Sequence, residues 1–223
     1  MAWDLLAENF NDLTDWTDND YGNGVSEISP AGQLHQDSSA TTTSIARIYQ
    51  DIGTISTGDY TVLFKFKFDI LPTTETTQKL FYIEINAGTN QSRVYLTKGT
   101  AQTYGAGGYN TLITKAWALD TWYTIRAIIH NSQTDMDVYL DEVLETSDAD
   151  VALGAGTDGL TYVRTNPWQQ EQAEWHVDYI YIGAGQQVPS TTSIKKVSGV
   201  EHASIKKIGG VAIGDVKKIS GVE

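Results

Sequence analysis

Hydrophobic and polar residues alternate over short segments along most of this chain. Residues 60–70 read YTVLFKFKFDI, where Lys65 and Lys67 separate successive phenylalanines. A period of two is typical of an antiparallel strand with one face against a core and the other in solvent. Similar patterns predict strands at residues 80–86, 92–96, 122–130, 136–140, 160–164 and 176–182. No segment of ten or more residues has a clean 3.6-residue period, so the chain is predicted to be all-β.

Turn-forming residues separate these predicted strands, for example in the segments STGD, NAGTN and GAGTDG. Short strands at regular spacing predict a jelly roll or a related β-sandwich. A length of 223 residues and a hydrophobic content of 40% suffice for one large domain of this kind. A proline and three small hydroxyl residues at positions 189–192 mark a boundary. We therefore predict a sandwich over residues 1–189 and a separate β-rich arm over residues 190–223.

The arm is an 11-residue repeat whose third copy is shorter than the first two. The copies read IKKVSGVEHAS, IKKIGGVAIGD and VKKISGVE. Three slots of each copy are β-branched and one is glycine, which favours short strands and turns over helix. The β-branched slots hold Ile194, Ile205 and Val216, then Val197, Ile208 and Ile219, then Val200, Val211 and Val222. Repeats bury such residues by stacking, so the arm is predicted to form a homo-oligomer, with a trimer as the favoured closure.

Charge is distributed unevenly between these two parts. The net charge is −13, but residues 1–189 hold 9 basic and 25 acidic residues, whereas residues 190–223 hold 6 lysines and 3 acids. The acidic sandwich is therefore not expected to bind nucleic acid, and it is a poor host for an anionic polymer. The lysines of the arm are interpreted as solvated positions on strand edges.

Several classes of protein are excluded by what the sequence lacks. There is no cysteine, which excludes disulfides, thiol catalysis and cysteine-type zinc sites. The opening residues MAWDLLAENFNDL have neither the basic nor the apolar region of a signal peptide. No stretch approaches the roughly 18 apolar residues of a membrane span, so no membrane partner is expected.

Four segments resemble the laminin-G-like, concanavalin A-type sandwich family. Residues 122–145 (WYTIRAIIHNSQTDMDVYLDEVLE) resemble a hairpin of that family, although Glu142 stands where the family's turn has glycine. Residues 60–72 resemble its long core strand, 175–183 its closing strand, and 9–16 (NFNDLTDW) its opening motif. The resemblance implies a jelly-roll sandwich, a fold that hosts lectins, carbohydrate-binding modules, glycosidases, lyases and virion proteins. The terminal repeat resembles the I-x-K-I-x-G-V tandems of phage and phage-like structural proteins.

The sequence contains no convincing catalytic constellation. Retaining glycosidases need two carboxylates about 5 Å apart, and the E-x-D-x-x-E strand of the family's hydrolases is absent here. The family's lyases use a Q-x-H strand, and neither His130 nor His176 lies in one. Four arginines could pair with sugar acids, at positions Arg47, Arg93, Arg126 and Arg164. We therefore predict no catalytic residues and a protein that is not an enzyme.

Aromatic residues in polar loops are the best candidates for a binding site. Tyr104 and Tyr109 lie in the glycine-rich segment TYGAGGYN, and Trp168 precedes Gln169 in RTNPWQQEQ. Exposed aromatic rings beside amide side chains can stack on sugars and hydrogen-bond their hydroxyls. The alternative is that Trp168 covers one end of the sandwich or a subunit contact. The other five tryptophans lie next to strands and are predicted to be in the core: Trp3, Trp16, Trp117, Trp122 and Trp175.

The sequence requires no cofactor, but it suggests one structural metal. Sandwiches of the family use calcium to join the opening segment to the closing strand, and here Asn11 or Asp12 with Asp178 would supply the oxygen ligands.

Together these features favour a non-enzymatic structural protein of a phage or phage-like particle, either a capsid decoration or a tail or fibre component. Its expected partners are further copies of itself, other particle proteins and surface glycans, and its expected location is the virion. A carbohydrate-binding module or adhesin is the alternative, and a polysaccharide lyase or glycosidase is a third.

Overall fold

The structure is a computed structural model. It describes residues 3, 5–38, 44–52, 59–71, 81–87, 90–105, 108–130, 135–150, 160–165, 172–186, 196–197, 200–201, 207–208 and 211–212. Only the backbone is described for residues 81–82, 84–87, 90–92 and 160–165, and for those after 195. The chain divides into two compact units, Met1–Gln187 and Val188–Glu223.

The first unit is built from strands throughout its described part. In chain order these are β1 (Leu6–Glu8), β2 (Thr17–Asp18), β3 (Gly24–Ile28), β4 (Leu34–Ser38), β5 (Arg47–Asp51), β6 (Tyr60–Ile70), β7 (Phe81–Ala87), β8 (Asn90–Leu96), β9 (Thr100–Gly105), β10 (Gly108–Thr114), β11 (Tyr123–Ile129), β12 (Asp135–Leu140), β13 (Val143–Asp150), β14 (Leu160–Thr165) and β15 (Ala173–Ala184). Sheet A has the order β13-β12-β11-β6-β15-β4-β3, with β1 also paired to β15. Sheet B has the order β10-β9-β8-β7-β14-β5-β2.

The two sheets pack face to face around one hydrophobic core. Phe64, Phe66 and Phe68 of β6 are fully buried, whereas Lys65 and Lys67 between them face away from the core. From sheet B, Ile48 and Val94 belong to the same buried cluster. Each fully buried side chain of this size contributes on the order of 1.5–3 kcal/mol, so this shared core holds the sheets together. The predicted all-β sandwich is therefore confirmed.

Each of the seven predicted strands corresponds to a strand of the structure, and β6 has the predicted limits. The tryptophans follow the core prediction only in part. Trp16, Trp117 and Trp175 are buried in the core. Trp122 is half-buried on the outer face of sheet A, with the Lys65 ammonium 4.9 Å from its ring centroid, and Trp3 packs against Tyr181 at 5.5 Å. The prediction was wrong for these two because proximity to a strand does not specify which face a ring occupies.

The turn between β12 and β13 explains why glutamate replaces glycine at position 142. Asp141 and Glu142 have φ angles of 48° and 65°, a region that favours glycine. The Glu142 carboxylate accepts hydrogen bonds at 3.2 and 3.0 Å from the Nε and Nη2 atoms of Arg126. Arg126 is only 5% exposed and its guanidinium lies 3.7 Å from the Tyr139 ring centroid. A glycine at this position would leave that buried charge without its carboxylate.

The described residues of the second unit form two short hairpins at the spacing of the sequence repeat. β16 (Lys196–Val197) pairs with β17 (Val200–Glu201), and β18 (Lys207–Ile208) pairs with β19 (Val211–Ala212). Val197 is opposite Val200 and Ile208 is opposite Val211, so the same register recurs after 11 residues.

Within the described part of the chain, no helix has the length and hydrophobicity needed to span a membrane.

Candidate functional site

Sheet B presents an unusual set of side chains on the face that is turned away from the core. In β5, Ile48 is fully buried, so Arg47 and Tyr49 on either side of it occupy the outer face. In β8, Val94 is buried and Arg93 and Tyr95 flank it in the same way. This face therefore combines arginine and tyrosine, which offer hydrogen-bond donors and aromatic rings to a ligand.

Tyr95, Tyr104 and Tyr109 form a contiguous aromatic group, here named the tyrosine surface. Tyr104 and Tyr109 are directly opposite each other on β9 and β10, with ring centroids 5.1 Å apart and edge-to-face at 74°. Tyr109 also packs edge-to-face on Tyr95 at 5.5 Å. Tyr104 and Tyr109 remain 46% and 48% exposed, so both rings offer area to a ligand. The structure thus brings together two of the residues that the sequence suggested.

Polar groups border the tyrosine surface. The Nη1 atom of Arg93 donates a 2.9 Å hydrogen bond to the Tyr95 hydroxyl, which orients a ring that is itself almost fully covered. Gln102 of β9 is opposite Tyr95 and is half-buried. Rings held by each other and by a guanidinium lose little rotamer freedom on binding, which lowers the entropic cost of capturing a ligand.

Sequence reasoning missed Tyr95 and Gln102 as site residues and named Arg93 only as one of four arginines that could pair with sugar acids, although a signal was present. Strands of sheet B share a three-residue pattern in which an apolar or small residue separates two polar or aromatic ones. The examples are Arg47-Ile-Tyr49, Tyr82-Ile-Glu84, Arg93-Val-Tyr95, Gln102-Thr-Tyr104 and Tyr162-Val-Arg164. At residues 80–86, 92–96 and 160–164 this alternation predicts strands, but by itself it does not indicate which outward-facing residues of different strands are neighbours.

The other sites predicted from the sequence stay predictions. Trp168 and Gln169 lie outside the described residues. Asp12 accepts a hydrogen bond from the Thr14 backbone, which lowers the pKa of its carboxyl, and Asp178 forms an ion pair with Lys65 at 2.7 Å. The predicted calcium site at Asn11, Asp12 and Asp178 therefore stays a prediction.

Two other groups of titratable residues lie elsewhere on the sandwich. His130, Asp135 and Asp148 have ligand-type atoms within 4.8 Å of one another, in a spacing that a metal ion could bridge. On the outer face of sheet A, His35 and His176 stack with ring centroids 4.7 Å apart. Burial lowers the pKa of the His176 imidazole, and the positive charges of the neighbouring His35 and Lys67 lower it further. The Asp69 carboxylate has the opposite effect and raises this pKa.

The sequence matches no protein-family model and no curated protein. Among solved structures, the chain is similar to a sialidase, with a TM-score of 0.61 and 11% identity over 83% of this chain and 19% of the sialidase. It is similar to a carbohydrate esterase from the Shiga toxin-encoding bacteriophage phi24B, with a TM-score of 0.57 and 10% identity over 82% of this chain and 98% of the esterase. It is also similar to the alginate lyase from Corynebacterium sp., with a TM-score of 0.53 and 14% identity over 81% and 100%.

These similarities concern the fold, since identities of 10–14% do not carry individual site residues from one protein to another. They support the predicted jelly-roll sandwich. The chain spans about a fifth of the sialidase but all or nearly all of the other two chains. The neighbours include enzymes that act on carbohydrates.

Proposed function

We propose that this chain is a non-enzymatic structural component of a phage or phage-like particle that binds glycans through the tyrosine surface of sheet B. The observation that carries the proposal is the packing of Tyr104 and Tyr109 against Tyr95 on one sheet face, with half of the first two rings exposed. A sugar ring has an apolar face of C–H groups and an equatorial rim of hydroxyls. Tyrosines that are fixed edge-to-face can cover the former, and Arg93 and Gln102 can hydrogen-bond the latter.

The site favours binding over turnover. The described side chains that offer polar groups beside the tyrosine surface are Arg93, Gln102 and the tyrosines themselves. Among these described groups, a guanidinium, an amide and phenols, there is no carboxylate or imidazole for proton transfer near neutral pH. Carbohydrate-active neighbours share the sandwich, which is compatible with a glycan as the ligand.

Replacing Tyr109 with alanine is expected to weaken glycan binding by roughly 5–30-fold, because Tyr109 touches both other rings and exposes half of its own. Loss of such a stacking contact is worth about 1–2 kcal/mol. The measurement is a glycan array with the wild-type protein, followed by titration of the best ligand into wild type and Tyr109→Ala.

Tyr181→Ala is the matched control. It removes a tyrosine from the outer face of sheet A, where Tyr181 stacks on Tyr179 at 4.7 Å, and it should leave the affinity unchanged. Equal affinity of wild type and Tyr109→Ala would contradict the proposal. Release of reducing ends or unsaturated products from a bound polysaccharide would contradict its non-enzymatic part.

The structural role rests on the repeats of the second unit. Both described hairpins have the same register, with two residue pairs described in each. A single two-stranded hairpin is at best marginally stable in water, so it needs a larger surface or further copies. We infer that the nine β-branched slots join copies of the chain, most simply as a trimer.

Deleting residues 190–223 is expected to leave a folded sandwich that is monomeric, while the full chain is oligomeric at micromolar concentration. Size-exclusion chromatography with light scattering measures both masses, and circular dichroism checks the fold of the shortened chain. An oligomeric deletion variant, or a monomeric full chain, would show that the arm has another role. Electron microscopy of particles labelled through this chain tests its place in an assembly.

A further inference from the structure

Arginine is concentrated on one face of this acidic protein. The chain has four arginines, and three of them belong to strands of sheet B: Arg47, Arg93 and Arg164. The register places the three positions on one face of the sheet. One row of opposite residues runs from Tyr49 through Tyr162 and Glu84 to Arg93. Arg47 and Arg164 are each two residues away from this row on their own strands, and positions two apart on a strand share a face. A net charge of −13 disfavours an anionic ligand for the protein as a whole. The arginines, however, are not evenly divided between the two sheets.

Two of these arginines are direct cross-strand neighbours. Arg47 of β5 is opposite Arg164 of β14, and the same row continues through Tyr82 and Tyr95 to Gln102. This row contains no acidic residue, whereas Arg93 in the adjacent row is opposite Glu84.

Arg47 also lacks the partners that arginines normally have. Its Nε atom is buried and makes no hydrogen bond, and within the described part of the chain no carboxylate forms an ion pair with its guanidinium. The neighbouring Asp20 carboxylate contacts Arg47 only through the backbone N–H, at 2.6 Å. By contrast, the Arg126 guanidinium on sheet A is paired with Glu142. A partly buried guanidinium without a partner is costly, which points to a ligand that supplies the missing anion.

We propose that sheet B binds an acidic oligosaccharide, with a sugar carboxylate at Arg47 and a neighbouring sugar on the tyrosine surface. The inference rests on the proposed glycan binding and names its ligand class. A carboxylate matches the planar fork of donors on a guanidinium and can accept two hydrogen bonds from it. Arg47 and Tyr95 are three strands apart, a distance of about 14 Å, which suits an oligosaccharide rather than a single sugar.

The test compares carboxylated glycans with their neutral counterparts. Oligogalacturonate and oligoalginate are titrated beside their carboxyl-reduced forms, and sialyllactose beside lactose, into wild type, Arg47→Gln and Arg47→Lys. We expect wild type to bind at least one acidic probe about tenfold or more tightly than its neutral partner. Arg47→Gln should lose this preference and keep the neutral affinity, and Arg47→Lys should retain only part of it because lysine has the charge without the fork.

Lys65→Gln is the charge-matched control, since it removes one positive charge from sheet A and should preserve the preference. Thermal unfolding checks that each variant is folded. If neutral and acidic forms bind equally and Tyr109→Ala weakens both, the glycan-binding proposal stands and this inference is overturned. If Arg47→Gln and Arg47→Lys both keep the wild-type preference, the inference is also overturned. If no glycan of either kind binds, both proposals fail.

Discussion

Replacing Gly24 with alanine is expected to destabilise the sandwich by about 3 kcal/mol or more. A Cβ atom at this position would lie 2.1 Å from the Ile45 carbonyl oxygen and 2.6 Å from the Ala46 nitrogen. Both are backbone atoms, and the Ile45 carbonyl already accepts a 2.8 Å hydrogen bond from the Tyr21 N–H. Gly24 begins β3 of sheet A, whereas Ala46 immediately precedes β5 of sheet B. The methyl group would therefore push β3 away from the segment that leads into β5.

Urea unfolding followed by tryptophan fluorescence measures this effect. Gly99→Ala is the matched control, because a Cβ at Gly99 meets no atom within 4 Å, and its stability should stay within about 0.5 kcal/mol of wild type. If the unfolding midpoint of Gly24→Ala coincided with that of the wild type, the close approach of β3 to residue 45 would be wrong.

Asp20→Ala is expected to cost about 2–4 kcal/mol, because one carboxylate satisfies three donors from two parts of the sandwich. It accepts hydrogen bonds from the Ser26 N–H at 2.7 Å, the Ser26 hydroxyl at 2.8 Å and the Arg47 N–H at 2.6 Å. The Ser26 hydroxyl in turn accepts from Gln36, and Gln36 accepts from the Trp175 indole N–H. Asp20 thus ends a polar network that runs from the buried Trp175 in sheet A to β5 in sheet B. Its burial raises the pKa of the carboxyl, although the donors act in the opposite direction.

Two further variants sharpen this prediction. Asp20→Asn keeps one acceptor oxygen, which receives two of the three bonds, so it should lose about half as much stability as alanine. Asp15→Ala removes an exposed carboxylate from the same segment and should change the stability by less than about 0.5 kcal/mol. Equal unfolding free energies for Asp15→Ala and Asp20→Ala would show that the network does not stabilise the sandwich.

The candidate site was predictable only in fragments. Tyr104 and Tyr109 stood out because they lie close together in sequence, on either side of a segment with three glycines. Arg47 and Arg164 are far apart in sequence, and nothing local in either segment indicates that they are neighbours. The acidic composition even argued against an anionic ligand. A net charge sums the residues of both sheets and of all their faces, whereas a ligand contacts only one face.

The sequence by itself determined the all-β class, the position of the seven strands with clear alternation and the 11-residue period of the arm. These properties are local, because alternation reports which residues of one strand share a face. Only the tertiary structure decided which strands are neighbours: β14 lies between β5 and β7, so its arginine and tyrosine join those of distant segments in continuous rows. The close approach at Gly24 and the acceptor role of Asp20 likewise depend on contacts between the two sheets. Pairing across long stretches of chain is set by how both sheets bury their inner faces together, and no short segment encodes it.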